Sequence, residues 1–167
     1  SMTKAFKELN YKSCHYPSVV FYGDKPICLK YDSLIRYDVF SDISILPFIE
    51  IYKKKISKSL FILTERKKED WLNSLSRKPN LNDNVNRNSW KDRLRKYLYG
   101  TAKYNEEIYS KSYNEFHQNV DSIFKNCEER LLKISVFEDD VWKKLSHFMG
   151  TKINKESFPW ENKDYQK

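Results

Sequence analysis

The stretch Ser59-Leu-Phe-Ile-Leu-Thr-Glu-Arg66, running on into Lys67-Lys-Glu-Asp-Trp-Leu-Asn-Ser74, constrains the fold more than any other part of this chain. A short apolar run rich in branched and aromatic residues predicts a buried strand over 59–64. The run stops at a cation and a helix over 68–77 follows: Glu69 and Asp70 suit its positive first turn, while Trp71, Leu72 and Leu75 share one face. Arg66 then stands at the carboxyl edge of a strand, where open α/β sheets hold their ligands. Ser74, eight residues on, can turn a hydroxyl toward the same crevice. A guanidinium fork beside a hydroxyl suits a phosphate, although a solvated Arg and a surface Ser would fit the same spacing.

The phrase resembles the "F-I-L-T-x-R-x-x-x-x-W-x-x-S" of sulfotransferases that use 3′-phosphoadenosine 5′-phosphosulfate. Further segments follow in that family's order. Tyr99-Gly100, then Tyr113-Asn-Glu-Phe-His117 with Val120, is similar to its "Y-G … Y-x-x-x-H-x-x-V". Trp142-Lys-Lys-Leu-Ser-His-Phe-Met-Gly150, after Arg130–Val136, resembles "W-x-x-L-x-x-F-L-G", and Phe158-Pro-Trp-Glu-Asn162 resembles "F-P-x-x-N". The resemblance implies one domain over 1–167, a three-layer P-loop-type α/β fold with a mainly parallel sheet, and sulfuryl transfer to a hydroxyl or amine acceptor. It assigns the 3′-phosphate of the nucleotide sulfate donor to Arg66 and Ser74. It also makes Asp42, ahead of Pro47, the candidate base, with Asp38 as rival; an Asp that merely caps the following helix is the plainer reading. Residues 12–16, 59–64 and 131–136 should be strands of one sheet.

One part of the family pattern is missing from these residues. The three glycines, Gly23, Gly100 and Gly150, lie in no glycine-rich strand-to-helix loop, the element whose backbone amides cradle a 5′-phosphosulfate. Ala5, Phe6 and Leu9 form the apolar face of a helix over 3–9 that should follow such a loop, so the fold is expected to be truncated at its N-terminus. Without the loop, the resemblance implies slow transfer or none by these 167 residues alone.

Cys14, Cys28 and Cys127 show no ligand spacing and imply neither a disulfide framework nor a metal site, which fits a reducing, cytoplasmic setting. No apolar run is long enough to span a membrane. The net charge of +8 is partly local, since Arg87, Lys91, Arg93, Arg95 and Lys96 face only Asp92 across 87–96. That helix opens an alternative, a non-catalytic basic module for nucleotide or nucleic acid, against the plainer reading of a solvated amphipathic face; nucleic acid is not the expected partner. His15 and His117 read first as half-buried packing residues and His147 as structural, while Lys152 and Lys155 follow the last helix in a region that approaches the 3′-phosphate in relatives.

Elsewhere, a helix is predicted over 27–36 after a turn at Gly23, another from Pro47 to Ile56, and a loop over 80–88. A long helix over 104–127 carries an apolar stripe at Tyr109, Tyr113, Phe116, Val120, Ile123 and Cys127. A last strand over 131–136 and a helix over 139–149 complete the strand–helix alternation.

Overall fold

A computed structural model describes residues 2–30, 34–82 and 89–159. Helix α1 (Met2–Glu8) leads into β1 (Ser13–His15), the hairpin strands β2 (Val19–Tyr22) and β3 (Lys25–Leu29), and β4 (Val39–Ser41). A 3-10 stretch, Ile43–Phe48, runs into α2 (Ile49–Lys55), then β5 (Phe61–Glu65), α3 (Lys68–Ser76) and the short α4 (Pro79–Asn82). Helices α5 (Trp90–Tyr99) and α6 (Glu106–Phe124) precede β6 (Leu131–Ser135) and α7 (Val141–Met149).

The long helices form where their ends are chemically marked. Ser89 caps α5 by accepting from the Asp92 amide at 3.2 Å and donating to its carboxylate at 2.6 Å. Gly100, at φ 74, ends that helix in the left-handed region that a residue without Cβ adopts freely. Asn105 caps α6 through the Ile108 amide.

The strands pair in twos. β5 runs parallel to β6 in the register Phe61↔Leu131 to Glu65↔Ser135, and β1 runs parallel to β4, with Ser13 opposite Val39 and His15 opposite Ser41. The expected single sheet through 12–16, 59–64 and 131–136 is therefore corrected: among the described residues no backbone ladder joins the two parallel pairs. Phe61, Ile62 and Leu63 are correspondingly half-buried, because a two-stranded pair leaves both long edges without a neighbour. Helix α1 packs against β1 and β4 and also puts Ala5 into the core formed by Ile134, Val141, Trp142 and Leu145, so it touches both pairs. A second core gathers Val19, Leu29, Phe48 and Leu94.

The helix expected over 27–36 is corrected over 27–29, since Lys25–Leu29 is a strand antiparallel to β2, whereas Leu34 is helical and residues 31–33 lie outside the described residues. Val19, Val20, Phe21 and Tyr22 favour extended backbone, and Gly23-Asp24 is a two-residue hairpin link with Gly23 at φ 56. β4 is a strand that the sequence left undivided. Residues 79–82 form a helical turn where a loop was expected, and the rest of that loop, 83–88, lies outside the described residues.

Candidate active site

Both parallel pairs end in residues singled out by sequence. β5 delivers Arg66 one residue beyond its carboxyl end, and β4 delivers Asp42 in the same way. The Arg66 carbonyl accepts a 2.6 Å hydrogen bond from the Tyr113 hydroxyl of α6. Its guanidinium lies 5.8 Å from the ring centroid of Phe137, just past the end of β6. Its Nε is sealed from solvent and has no hydrogen-bond partner. A buried donor left bare costs about 1–3 kcal/mol, which a water or a ligand oxygen can recover. An anionic oxygen is the natural complement.

Ser74 is half-buried, seven residues into α3 and one turn beyond Trp71. Trp71 in turn stacks on Tyr113 with ring centroids 5.4 Å apart. Arg66 reaches the Trp71–Tyr113 contact through its carbonyl, and Ser74 follows Trp71 by three residues on α3. That contact belongs to a larger aromatic cluster, with Tyr99 and Tyr109 at 4.7 Å and Tyr113 and His117 at 4.4 Å. His117 is half-buried there as a packing ring, in line with the reading from sequence. His147 is exposed in the last turn of α7.

Asp42 is backbone-strained. It sits at φ 88, ψ 173, a region almost reserved for glycine that costs about 1–3 kcal/mol for other residues. Its Oδ1 accepts from the Ile43 amide at 2.7 Å, so the capping role is real. Its Oδ2 remains for other work and faces His15 Nε2 at 3.6 Å. Tyr16, the residue after β1, also has positive φ (55), and its amide donates to the Ser41 carbonyl. Two adjacent parallel strands therefore end in adjacent strained, non-glycine residues. Such clustering is characteristic of functional sites. The rival Asp38 is tied to the Lys12 amide at 2.9 Å, before β4 begins, and so lies at the opposite end of that strand.

Tyr16 closes this corner. Its hydroxyl is buried without a partner, and burial pushes the phenol up to about 12, against the downward pull of the Arg95 guanidinium and with the Asp42 and Asp92 carboxylates adding to the rise. Tyr99 is raised too, by burial first and then by Tyr109 and Asp42. The acidic corner at Asp42 thus adjoins the aromatic cluster that reaches Arg66. Sequence reasoning missed Tyr16 and Tyr113 as parts of this site; backbone strain and a missing partner leave no mark in a residue pattern.

The two arginines of the basic helix are engaged within the chain, while Lys91 and Lys96 are exposed. Arg93 donates to the Gly23 carbonyl and lies 4.5 Å from the Phe21 ring centroid, while Arg95 pairs with Asp92 at 3.2 Å with both side chains nearly buried. Lys91 lies over Tyr16 at 5.0 Å and over Trp90 at 5.8 Å. Arg87 is outside the described residues. A cavity of about 300 Å³ between the 43–49 segment, α5 and α6 is lined by Leu46, Ile49, Leu98, Phe116 and others, but by neither Arg66, Ser74 nor Asp42. Among the described residues no group of His, Cys, Asp and Glu could hold a metal, and no helix is long and apolar enough to cross a membrane.

The model of the family described as "Sulfotransferase domain" matches residues 1–166. The chain belongs to that family, whose fold is a P-loop-like α/β architecture. No curated protein matches it.

Proposed function

We propose, from membership of the sulfotransferase domain family, that this chain is a single domain built to bind 3′-phosphoadenosine 5′-phosphosulfate and to serve sulfuryl transfer to a hydroxyl or amine. The observation that carries the reading is Arg66 at a strand end, its carbonyl held by Tyr113, its guanidinium over Phe137, and its buried Nε–H satisfied by none of the described residues. Arg66 and the Ser74 hydroxyl would hold the 3′-phosphate, and Asp42 would take the acceptor's proton. The phosphosulfate itself supplies the activated sulfuryl group. Charge-assisted hydrogen bonds and a planar fork explain why an Arg suits the phosphate.

A glycine-rich phosphate loop would complete the site and is not among these 167 residues. Donors for the leaving phosphate are a large part of catalysis, so the reading expects weak turnover by this chain and intact recognition of the 3′-phosphate. It includes a reducing, cytoplasmic setting, which the three free thiols support. The engagement of Arg93 and Arg95 within the chain counts against a nucleic-acid module.

Calorimetry tests the reading. Adenosine 3′,5′-bisphosphate should bind at least about tenfold more tightly than adenosine 5′-monophosphate, the difference one charge-assisted phosphate contact provides. Equal affinities would remove the reading's basis.

A further inference from the structure

His15 was expected to be a packing residue, and its surroundings are those of a proton carrier. Its side chain is 63% exposed, and it stands at the last position of β1, directly opposite Ser41. Nδ1 lies 3.4 Å from Ser41 Oγ, which is 2.6 Å from Thr3 Oγ1 on α1. Nε2 lies 3.6 Å from Asp42 Oδ2. With Nδ1–H donated to the hydroxyl pair, Nε2 is left bare beside the carboxylate and free to accept a proton; with Nδ1 accepting from Ser41, Nε2–H would donate to Asp42, so the relay requires the first tautomer. The other Asp42 oxygen is held by the Ile43 amide, and the parallel register of His15 with Ser41, continued by the Tyr16 amide donating to the Ser41 carbonyl, keeps the two strand ends side by side.

We propose that His15 and Asp42 act as one proton-accepting unit, with Asp42 Oδ2 meeting the acceptor and His15 Nε2 taking the proton onward to solvent. This deepens the sulfotransferase reading and rests on it. As the acceptor oxygen or nitrogen bonds to sulfur, the bond from sulfur to the bridging oxygen breaks and its electron pair leaves with the nucleotide phosphate. The acceptor's proton moves to Asp42 and then to His15, so no further reactant is needed. A carboxylate alone is a weak base near neutral pH; a neutral imidazole behind it gives the proton a better resting place. Among the described residues, Tyr16 just after β1 and Tyr99 of α5 are the titratable groups that feel the Asp42 carboxylate. His15 is a positioning and relay residue acting through Asp42.

Long-range ¹H–¹⁵N NMR on the full chain reports which ring nitrogen carries the proton. The His15 signal is assigned by its loss in His15→Gln, and spectra are taken at about pH 9, above the ordinary histidine range. The expected result is Nδ1–H with a bare Nε2, moving toward Nε2–H in Ser41→Ala. Nε2–H in the unsubstituted protein overturns the proposal, because the ring would then donate to Asp42 and could accept nothing from it. In a transfer assay with labelled donor, His15→Gln should lower kcat about tenfold or more with KM and adenosine bisphosphate affinity unchanged; an unchanged kcat overturns it too. Loss of 3′-phosphate preference in calorimetry would instead sink the sulfotransferase reading while leaving the tautomer result standing.

Discussion

Two arginines stand at opposite ends of the same strand pair. Arg130 immediately precedes β6 and Arg66 immediately follows β5, and each lies over a phenylalanine, Phe61 at 5.7 Å and Phe137 at 5.8 Å. Their hydrogen bonding differs completely. Arg130 donates to the carbonyls of Ser59 (3.0 Å), Lys53 (3.0 Å) and Ile56 (2.9 Å) and to Ser59 Oγ (2.7 Å). It thereby caps the carboxyl end of α2, where unpaired carbonyls and the helix dipole favour a cation. Arg66 keeps a buried Nε–H with no partner among the described residues. One guanidinium is consumed in holding the chain together. The other is held in place and left available.

Substitution should separate the two roles, and the largest effect should fall on Arg130. Arg130→Ala strands several carbonyls at once and should cost about 3 kcal/mol of stability in urea unfolding. Nucleotide affinity of the folded fraction should stay the same. Arg66→Ala should do the reverse, weakening adenosine 3′,5′-bisphosphate about tenfold in calorimetry while changing stability by less than about 1 kcal/mol, since it removes an unsatisfied donor. Equal losses of stability in the two variants would erase the distinction.

Asp42 extends the comparison to backbone strain. Asp42→Gly relieves φ 88, and because glycine replaces a capping residue at a cost of only a few tenths, the variant should gain about 1 kcal/mol in stability. Transfer should fall at the same time. A destabilised Asp42→Gly protein would show that the strain is absent or that the carboxylate is structural.

The smallest effect concerns the buried phenol. Tyr16 titrates at about 12 when folded, against an ordinary tyrosine value of 10.0, because burial disfavours the phenolate. Between those values the unfolded chain releases a proton that the folded chain keeps. Its contribution is therefore complete below pH 10 and is lost as pH rises toward 12. Alkaline unfolding followed by phenolate absorbance should be less steep over that window in Tyr16→Phe than in the parent protein.

The parts legible in the sequence were those written in local pattern. The run ending at Arg66, the stripe of α6 and the acidic first turn of α3 each carry their own period and punctuation, and each became the expected element. The hairpin Val19–Leu29 and the three-residue β4 were missed because elements so short are specified by their partners across the sheet and not by a repeat of their own. The identities of Arg66, Ser74 and Asp42 came from family resemblance, and a residue pattern could not separate Arg66 from Arg130. That difference lies in which acceptors the folded chain brings within reach. His15 was misjudged for the same reason, since only the parallel register with β4 sets it against Ser41 and Asp42.

A structure of the full chain with adenosine 3′,5′-bisphosphate bound would decide what Arg66 is for. The 3′-phosphate should lie within hydrogen-bond distance of both the Arg66 guanidinium and the Ser74 hydroxyl, with the Arg66 carbonyl still held by Tyr113 and the guanidinium over Phe137. A phosphate seated instead on the exposed side of α5, with Arg66 Nε still bare, would contradict it.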